Sequence, residues 1–117
     1  MRNNYENLAI YTRSIEVSVQ IMKVIDDVRP FRLAEQIISS SISIPSNIAE
    51  GSERGSNKDF IRFLEYSSGS ASELITQLTI ISKAEKEIQL DLPFLIEELK
   101  QINSMIRGLI NNLNKKI

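Results

Sequence analysis

The chain has 117 residues, 42% of them hydrophobic, with a formal net charge of −1 and neither cysteine nor histidine. These values indicate one globular domain over residues 1–117, and they argue against a disordered chain or a strongly basic nucleic-acid binder. Without cysteine and histidine the chain can form neither disulfides nor thiolate or imidazole metal sites, and it lacks the commonest catalytic base. We therefore expect no metal, no cofactor and no enzymatic activity.

The first predicted helix spans residues 5–28 and carries two apolar rows. The first row contains Leu8, Tyr11, Ile15, Ser18, Met22 and Ile25. The second row contains Ile10, Ser14, Val17, Ile21, Val24 and Val28. At 100° per residue the two rows lie about 110° apart, so the apolar arc is wider than one seam needs. Pro30 disfavours the α conformation at the residue before it and is expected to end this segment.

The second predicted helix spans residues 31–50 and also carries two rows. One row contains Leu33, Ile37, Ser41, Ile44 and Ile48, and the other contains Ile38, Ile42 and Ala49. Gly51 follows directly, and glycine is the common residue just past a helix end because it tolerates a positive φ. We therefore predict that Gly51 terminates this helix.

The third and fourth predicted helices span residues 57–86 and 92–114. Ser56 is a favourable N-cap, with Asp59 three residues later as in a capping box, and Asp91 can cap the fourth helix. Their heptad seams contain Phe60, Leu64, Ser67, Ala71, Leu74, Leu78 and Ile81, followed by Leu95, Leu99, Ile102, Ile106, Leu109 and Leu113. Four such segments joined by short turns predict an all-α fold, an antiparallel up-and-down four-helix bundle.

The first two helices carry more apolar surface than a single bundle core can cover. Self-association is the simplest way to cover the excess. The predicted interface residues are Ile10, Val17, Val24, Ile38 and Ile42. The alternative is that both rows face one core.

The stretch SIPSNIAEGSERGSNKDFIRFL, residues 43–64, places a proline inside an apolar helix. Pro45 has no amide hydrogen to donate to the Ser41 carbonyl, so that carbonyl needs a bond from water or a side chain. The surrounding residues are interpreted as a polar clasp that shapes the turn between the second and third helices. The clasp comprises Pro45, Asn47, Glu50, Gly51, Ser56 and Asp59.

Within the clasp, Glu50 is expected to pair with Arg54 or Arg62, and Asn47 to tie the turn to the third helix. The alternative is that Arg54, Lys58 and Arg62, four residues apart from one another, face a phosphate backbone or another polyanion. A catalytic role would fall on Glu50 and Arg54, and we expect none.

The pieces SIPSNIAEG (43–51), RGSNKDFIRFL (54–64) and GSASEL (69–74) resemble the signature of a known family. It comprises the four-helix bundle proteins related to the 23S rRNA intervening-sequence protein, or S23 ribosomal protein. The resemblance implies a non-enzymatic homopentameric ring. The chain is also similar to the accessory variability proteins of diversity-generating retroelements, which implies a basic surface that binds nucleic acid.

Two functions remain open from the sequence. The leading one is a non-enzymatic, oligomeric scaffold or interaction module, and the alternative is an RNA- or DNA-binding accessory protein with a basic face repeated around a ring. The chain has no apolar run of the ~18 residues that a membrane span needs and no apparent signal peptide. We therefore expect a soluble cytoplasmic protein whose partners are copies of itself, nucleic acid or another protein, and not a membrane.

Overall fold

The computed structural model describes residues 4–117, so residues 1–3 of the predicted domain lie outside the described part. Short 3₁₀ helices, Tyr5–Asn7 and Ile25–Asp27, precede and follow the first α-helix. The four α-helices are α1 (Ala9–Met22), α2 (Phe31–Ser52), α3 (Asn57–Lys83) and α4 (Leu92–Asn114). No strand occurs among the described residues. The predicted all-α class is confirmed.

The side-chain contacts between α2 and α3 show that neighbouring helices run in opposite directions. The Ser43 and Ser70 hydroxyls lie 2.8 Å apart, and the Ser40 hydroxyl donates to a Glu73 carboxylate oxygen at 3.1 Å. Numbers therefore fall along α2 as they rise along α3. The loop 84–91 then reverses the chain again into α4. This arrangement confirms the predicted antiparallel four-helix bundle.

One continuous core receives apolar side chains from all four helices. Its members recur at spacings of three and four, which places them on one face of each helix. Burying one such side chain completely stabilises the fold by roughly 1.5–3 kcal/mol. The largest side chains that are almost fully buried are Ile21, Ile37, Ile44, Ile48, Leu64, Leu74, Leu78, Ile81, Leu95, Leu99, Ile102 and Ile106.

The rotation of α1 corrects the predicted oligomer surface. Ile10 and Val17 are only 4% and 2% exposed inside this single chain, and Val24 is half-buried. Ile10 and Val17 therefore belong to the core, and their assignment to an interface is wrong. In the first row, by contrast, Ile15 and Met22 are exposed, although Ser18 and Ile25 are buried. Both rows of α1 are similarly apolar, so only packing against the other helices decides which one faces inward.

The α1 segment is also shorter than predicted. The pattern suggested one helix over 5–28, whereas α1 ends at Met22 and a 3₁₀ turn follows at Ile25–Asp27. The change coincides with Val24, Ile25, Asp26 and Asp27, which all have low intrinsic helix propensity.

Gly51 does not terminate α2 as predicted. The helix continues to Ser52, and the positive φ of this turn belongs to Gly55, at 88°. A Cβ atom added to Gly51 would lie 2.6 Å from the Cβ of Phe63 in α3. Glycine is therefore required at position 51 because the two helices approach closely there.

Candidate functional site

The proline of α2 is accommodated by a hydroxyl from α1. Pro45 lies inside α2 and leaves the Ser41 carbonyl without its usual amide donor. The Ser18 hydroxyl of α1 donates to that carbonyl at 2.9 Å, and both serines are buried. The prediction that a side chain or water must satisfy the Ser41 carbonyl is thus confirmed, with Ser18 as the donor.

A second set of hydroxyl contacts joins this part of α2 to α3. The Ser67 hydroxyl donates to the Ile44 carbonyl at 2.8 Å, while the Ser43 and Ser70 hydroxyls share a hydrogen bond. Asn47 Nδ2 donates to the Ser43 carbonyl and hydroxyl at 2.8 and 2.9 Å. Asn47 was expected to reach α3 directly. It instead contacts Ser43 of its own helix, and Ser43 makes the contact with α3.

The turn itself is held by local contacts. Glu50 Oε1 accepts a hydrogen bond from Arg54 Nη2 at 2.8 Å. Of the two partners that the sequence allowed for Glu50, the structure therefore shows Arg54 and not Arg62. The Ser56 hydroxyl accepts from the Asp59 amide at 3.1 Å, which confirms Ser56 as the N-cap of α3. These contacts agree with the structural interpretation of the clasp.

Arg54 and Arg62 meet on one aromatic ring. Their guanidinium carbons lie 4.7 and 4.8 Å from the centroid of the Phe63 ring, a cation–π geometry. Arg62 also lies 3.4 Å from Asp59. A hydrogen bond donated to the Tyr66 hydroxyl is the largest cause of the raised pKa of Arg62. The two arginines therefore lie against one ring at the surface, Arg54 in the turn and Arg62 in the first turns of α3.

Lys58 completes the predicted basic set but makes no such contacts. Its side chain is exposed and forms no ion pair with any other residue in the part of the chain that the structure describes. It lies one helical turn before Arg62, so both project from the same side of α3. The structure thus brings Arg54 and Arg62 together and places Lys58 beside them. We call these three residues, with Phe63 and Tyr66, the aromatic–basic patch.

The sequence interpretation did not assign Phe63 to the patch. Phe63 does not fit the seam through Phe60, Leu64 and Ser67, and an aromatic residue outside a seam and next to an arginine was the available signal. The net charge of the patch is small, because residues 50–62 also include Glu50, Glu53 and Asp59. Any attraction for a polyanion must therefore be local.

The outer side of α1 and α2 forms an apolar face. A groove of about 260 Å³ runs between the two helices. It is lined by uncharged residues, namely Tyr11, Ile15, Ser18, Ile42, Pro45, Ser46 and Ala49. Ile15 and Ile42 are 36% and 44% exposed, and Val19 and Met22 of α1 are exposed nearby. Of the predicted interface residues, Ile42 is on this face and Ile38 is half-buried.

Residues 4–117 contain no cluster of acidic side chains arranged to hold a metal ion. Nor does any α-helix among them combine the length and apolar character that crossing a bilayer would require. The open pocket at the other end of the bundle, around Lys86 to Pro93, is formed by the α3–α4 loop.

These features define an all-α bundle with one apolar outer face and one small aromatic–basic patch. The family described as 23S rRNA-intervening sequence protein matches residues 6–108, and the chain belongs to this family. A crystal structure of a protein with unknown function from the S23 ribosomal protein family of Bacteroides thetaiotaomicron has the same fold. It aligns with a TM-score of 0.79 and 24% identity, over 87% of this chain and 98% of that chain. No curated protein matches the chain. Neither description names a catalytic activity.

Proposed function

We propose that this protein is a non-enzymatic, self-associating bundle that serves as a scaffold or interaction module, with the apolar face of α1 and α2 as its self-association surface. The observation that carries the proposal is the uncharged groove between these helices, lined by the exposed side chains of Ile15 and Ile42, with Met22 also exposed on α1. Contiguous exposed apolar side chains of this kind mark interaction surfaces in other proteins. The resemblance to ring-forming relatives supports another copy of the chain as the occupant, and five copies as the number.

Light scattering coupled to size-exclusion chromatography tests this proposal. The wild-type protein should elute as an oligomer, with a mass of several times the 13.3 kDa of one chain. Ile42→Glu should elute as a monomer, because a carboxylate would be desolvated in the middle of the interface. Ile80→Glu is the matched control, since Ile80 of α3 is 56% exposed but does not line the groove. A monomeric wild-type protein, or an Ile42→Glu variant with unchanged mass, would contradict the proposal.

A second candidate function is the binding of RNA or DNA through the aromatic–basic patch. The observation in its favour is that two guanidinium groups converge on Phe63, while Lys58 beside them forms no ion pair with any residue of 4–117. In a ring, each contact would be repeated once per subunit, and such repetition raises the overall affinity. The resemblance to nucleic-acid-binding accessory proteins supports the same candidate.

This candidate predicts binding that weakens steeply as salt rises, because phosphate contacts release counterions. The triple variant Arg54→Ala/Lys58→Ala/Arg62→Ala should abolish the binding at low salt. Fluorescence anisotropy with labelled oligonucleotides measures both effects. An affinity that does not depend on salt concentration, or that is retained in the triple variant, would rule out the patch as the nucleic-acid site.

A further inference from the structure

Tyr66 is an aromatic side chain presented to solvent within a set of cations. It follows Arg62 by one helical turn, and half of its surface is exposed. Its ring packs against Phe63 in an edge-to-face arrangement, with centroids 5.5 Å apart and an interplanar angle of 84°. Arg62 precedes it by four residues and so lies on the same side of α3. The ring is therefore oriented by Phe63 and is still half exposed.

The ring of Phe63, unlike that of Tyr66, is not accessible to a ligand. Phe63 is 8% exposed, and the guanidinium groups of Arg54 and Arg62 lie over it. Tyr66 is thus the one aromatic member of the patch with free surface. Exposed aromatic rings next to arginine and lysine are the usual elements of surfaces on which nucleobases stack.

We propose that Tyr66 stacks on an unpaired nucleobase while Lys58 and Arg62 contact the adjacent phosphates, so that the ligand is single-stranded RNA or DNA. This inference rests on the nucleic-acid candidate described above and narrows it. It assigns to Tyr66 a role that the basic residues cannot supply.

The charge balance of the patch favours a single strand over a duplex. A duplex keeps its base faces stacked inside, so a protein must hold it through phosphates and groove edges. Residues 50–62 carry three basic side chains against three acidic ones, of which Glu50 and Asp59 already pair with Arg54 and Arg62. Phosphate attraction is correspondingly limited. A single strand offers a stacking contact in addition to its phosphates, because each unpaired base can stack on an exposed ring.

The test is fluorescence anisotropy at low salt with the full chain. The probes are labelled oligothymidylate and oligouridylate of about 16 nucleotides, the upper range of a single-strand site. A labelled duplex of the same length is compared with them. Tyr66→Ala should weaken single-strand binding by about 5- to 150-fold, the loss typical of one stacked base. Tyr66→Phe should retain the affinity, because the ring face remains.

Two further variants separate stacking from structure. Tyr66→Leu keeps an apolar side chain of similar reach but has no π-face, so it should lose affinity as Tyr66→Ala does. Phe94→Ala is the matched control, since Phe94 is 53% exposed on α4 and lies outside the patch. It should bind like the wild type.

The outcomes distinguish this inference from the function on which it rests. Tighter single-strand than duplex binding that is reduced in Tyr66→Ala and Tyr66→Leu, but not in Tyr66→Phe or Phe94→Ala, supports it. If the triple basic variant loses binding while Tyr66→Ala does not, nucleic-acid binding stands and the stacking role fails. Equal affinity for duplex and single strand also overturns the inference. If neither oligonucleotide binds at low salt, the inference and the nucleic-acid candidate both fail.

Discussion

At the scale of single residues, the pair formed by Ser18 and the Ser41 carbonyl shows how a proline is tolerated inside a packed helix. Pro45 removes one backbone donor from a buried stretch of α2, and an unsatisfied buried carbonyl is costly. A hydroxyl from the neighbouring helix restores the missing bond at 2.9 Å. The backbone hydrogen bond that Pro45 removes from α2 is therefore replaced only when α1 lies in its observed position.

This arrangement predicts a specific coupling. Ser18→Ala should lower the free energy of unfolding by about 1–2 kcal/mol, because it leaves the Ser41 carbonyl without a partner. In a Pro45→Ala background the amide of residue 45 can donate to that carbonyl, so the same change should cost less. Urea denaturation of the four proteins in the cycle measures the difference. Equal costs in the two backgrounds would contradict the assigned role of Ser18.

The surface serine Ser104 on α4 provides the control. Ser104 is exposed, so Ser104→Ala reports only the change in helix propensity, which favours alanine by a few tenths of a kcal/mol. The sequence alone predicted that the Ser41 carbonyl needs a donor, because the proline's missing amide is a local property. It could not predict Ser18, because the donor lies 23 residues away and depends on how α1 is rotated.

At the scale of helices, the contact between the end of α2 and the start of α3 depends on Gly51. Gly51→Ala places a methyl group where the Phe63 Cβ lies 2.6 Å away, so one helix must move. We expect a loss of about 1–3 kcal/mol in the free energy of unfolding, as for other overpacked sites. Thermal or urea unfolding measures the loss. A neutral Gly51→Ala variant would contradict the close approach.

Gly69 is the matched comparison for this prediction. It lies in the middle of α3 and is exposed, and apart from its own stretch of helix backbone a Cβ added there would meet no atom of the described residues within 4 Å. Gly69→Ala should therefore stabilise the protein by roughly 0.5–1 kcal/mol, the usual gain from replacing a glycine inside a helix. The same substitution is thus expected to have opposite signs at the two positions.

Helix-level features were predicted with unequal success, and the reason is physical. The N-caps Ser56 and Asp91 were foreseen because capping depends on residues three positions apart. The inward face of α1 was not, since its two rows have similar apolar character and the choice between them is made by distant helices. Gly51 was misjudged for the same reason. Its role is set by Phe63 of another helix and not by its own backbone.

At the scale of the whole molecule, the bundle is closed by an ion pair between its first and last helices. Arg13 Nε and Nη2 donate to the two Glu98 carboxylate oxygens at 2.9 and 2.5 Å, and Nη2 also donates to Gln101 Oε1 at 2.9 Å. This two-pronged geometry is the strong form of an arginine–carboxylate contact. The hydrogen bonds from Arg13 lower the pKa of Glu98 below its ordinary value of 4.5.

The lowered pKa of Glu98 predicts the direction of a pH effect. A carboxyl group whose pKa is lower in the folded state contributes stability above its unfolded pKa, and that contribution is lost as pH falls through the folded pKa. The wild type should therefore lose stability below pH 4.5 more steeply than Glu98→Gln, which has no carboxylate to protonate. Urea midpoints recorded from neutral to acidic pH measure the two curves. Parallel curves would show that the contact does not stabilise the fold.

Glu65→Gln serves as the control for this experiment. Glu65 pairs with Arg107, but both side chains are about half exposed. Exposed ion pairs contribute about 0–1 kcal/mol, so removing this one should change stability little at neutral pH. Glu98→Gln, whose carboxylate is 18% exposed, should cost more, about 1–2 kcal/mol.

The overall architecture was the most predictable property of the molecule. Heptad spacing is repeated over four segments, and each repeat independently indicates a helix with one buried face. The aromatic–basic patch was predicted only as three basic residues, because the stacking of Arg54 and Arg62 on Phe63 requires the turn to be folded. The apolar face was predicted on α2 through Ile42, but on the wrong side of α1.

The close approach at Gly51 has a consequence for how variants of this protein would be interpreted. Phe63, against which the glycine packs, is also the ring that supports Arg54 and Arg62, and it orients Tyr66. Any side chain at position 51 would push against Phe63 and would thereby displace Arg54, Arg62 and Tyr66. On the proposed nucleic-acid function, a genetic screen for impaired binding would therefore recover substitutions of Gly51, which is itself buried and out of reach of a ligand. The spacing between two helices, and not only the surface residues, sets the shape of the patch.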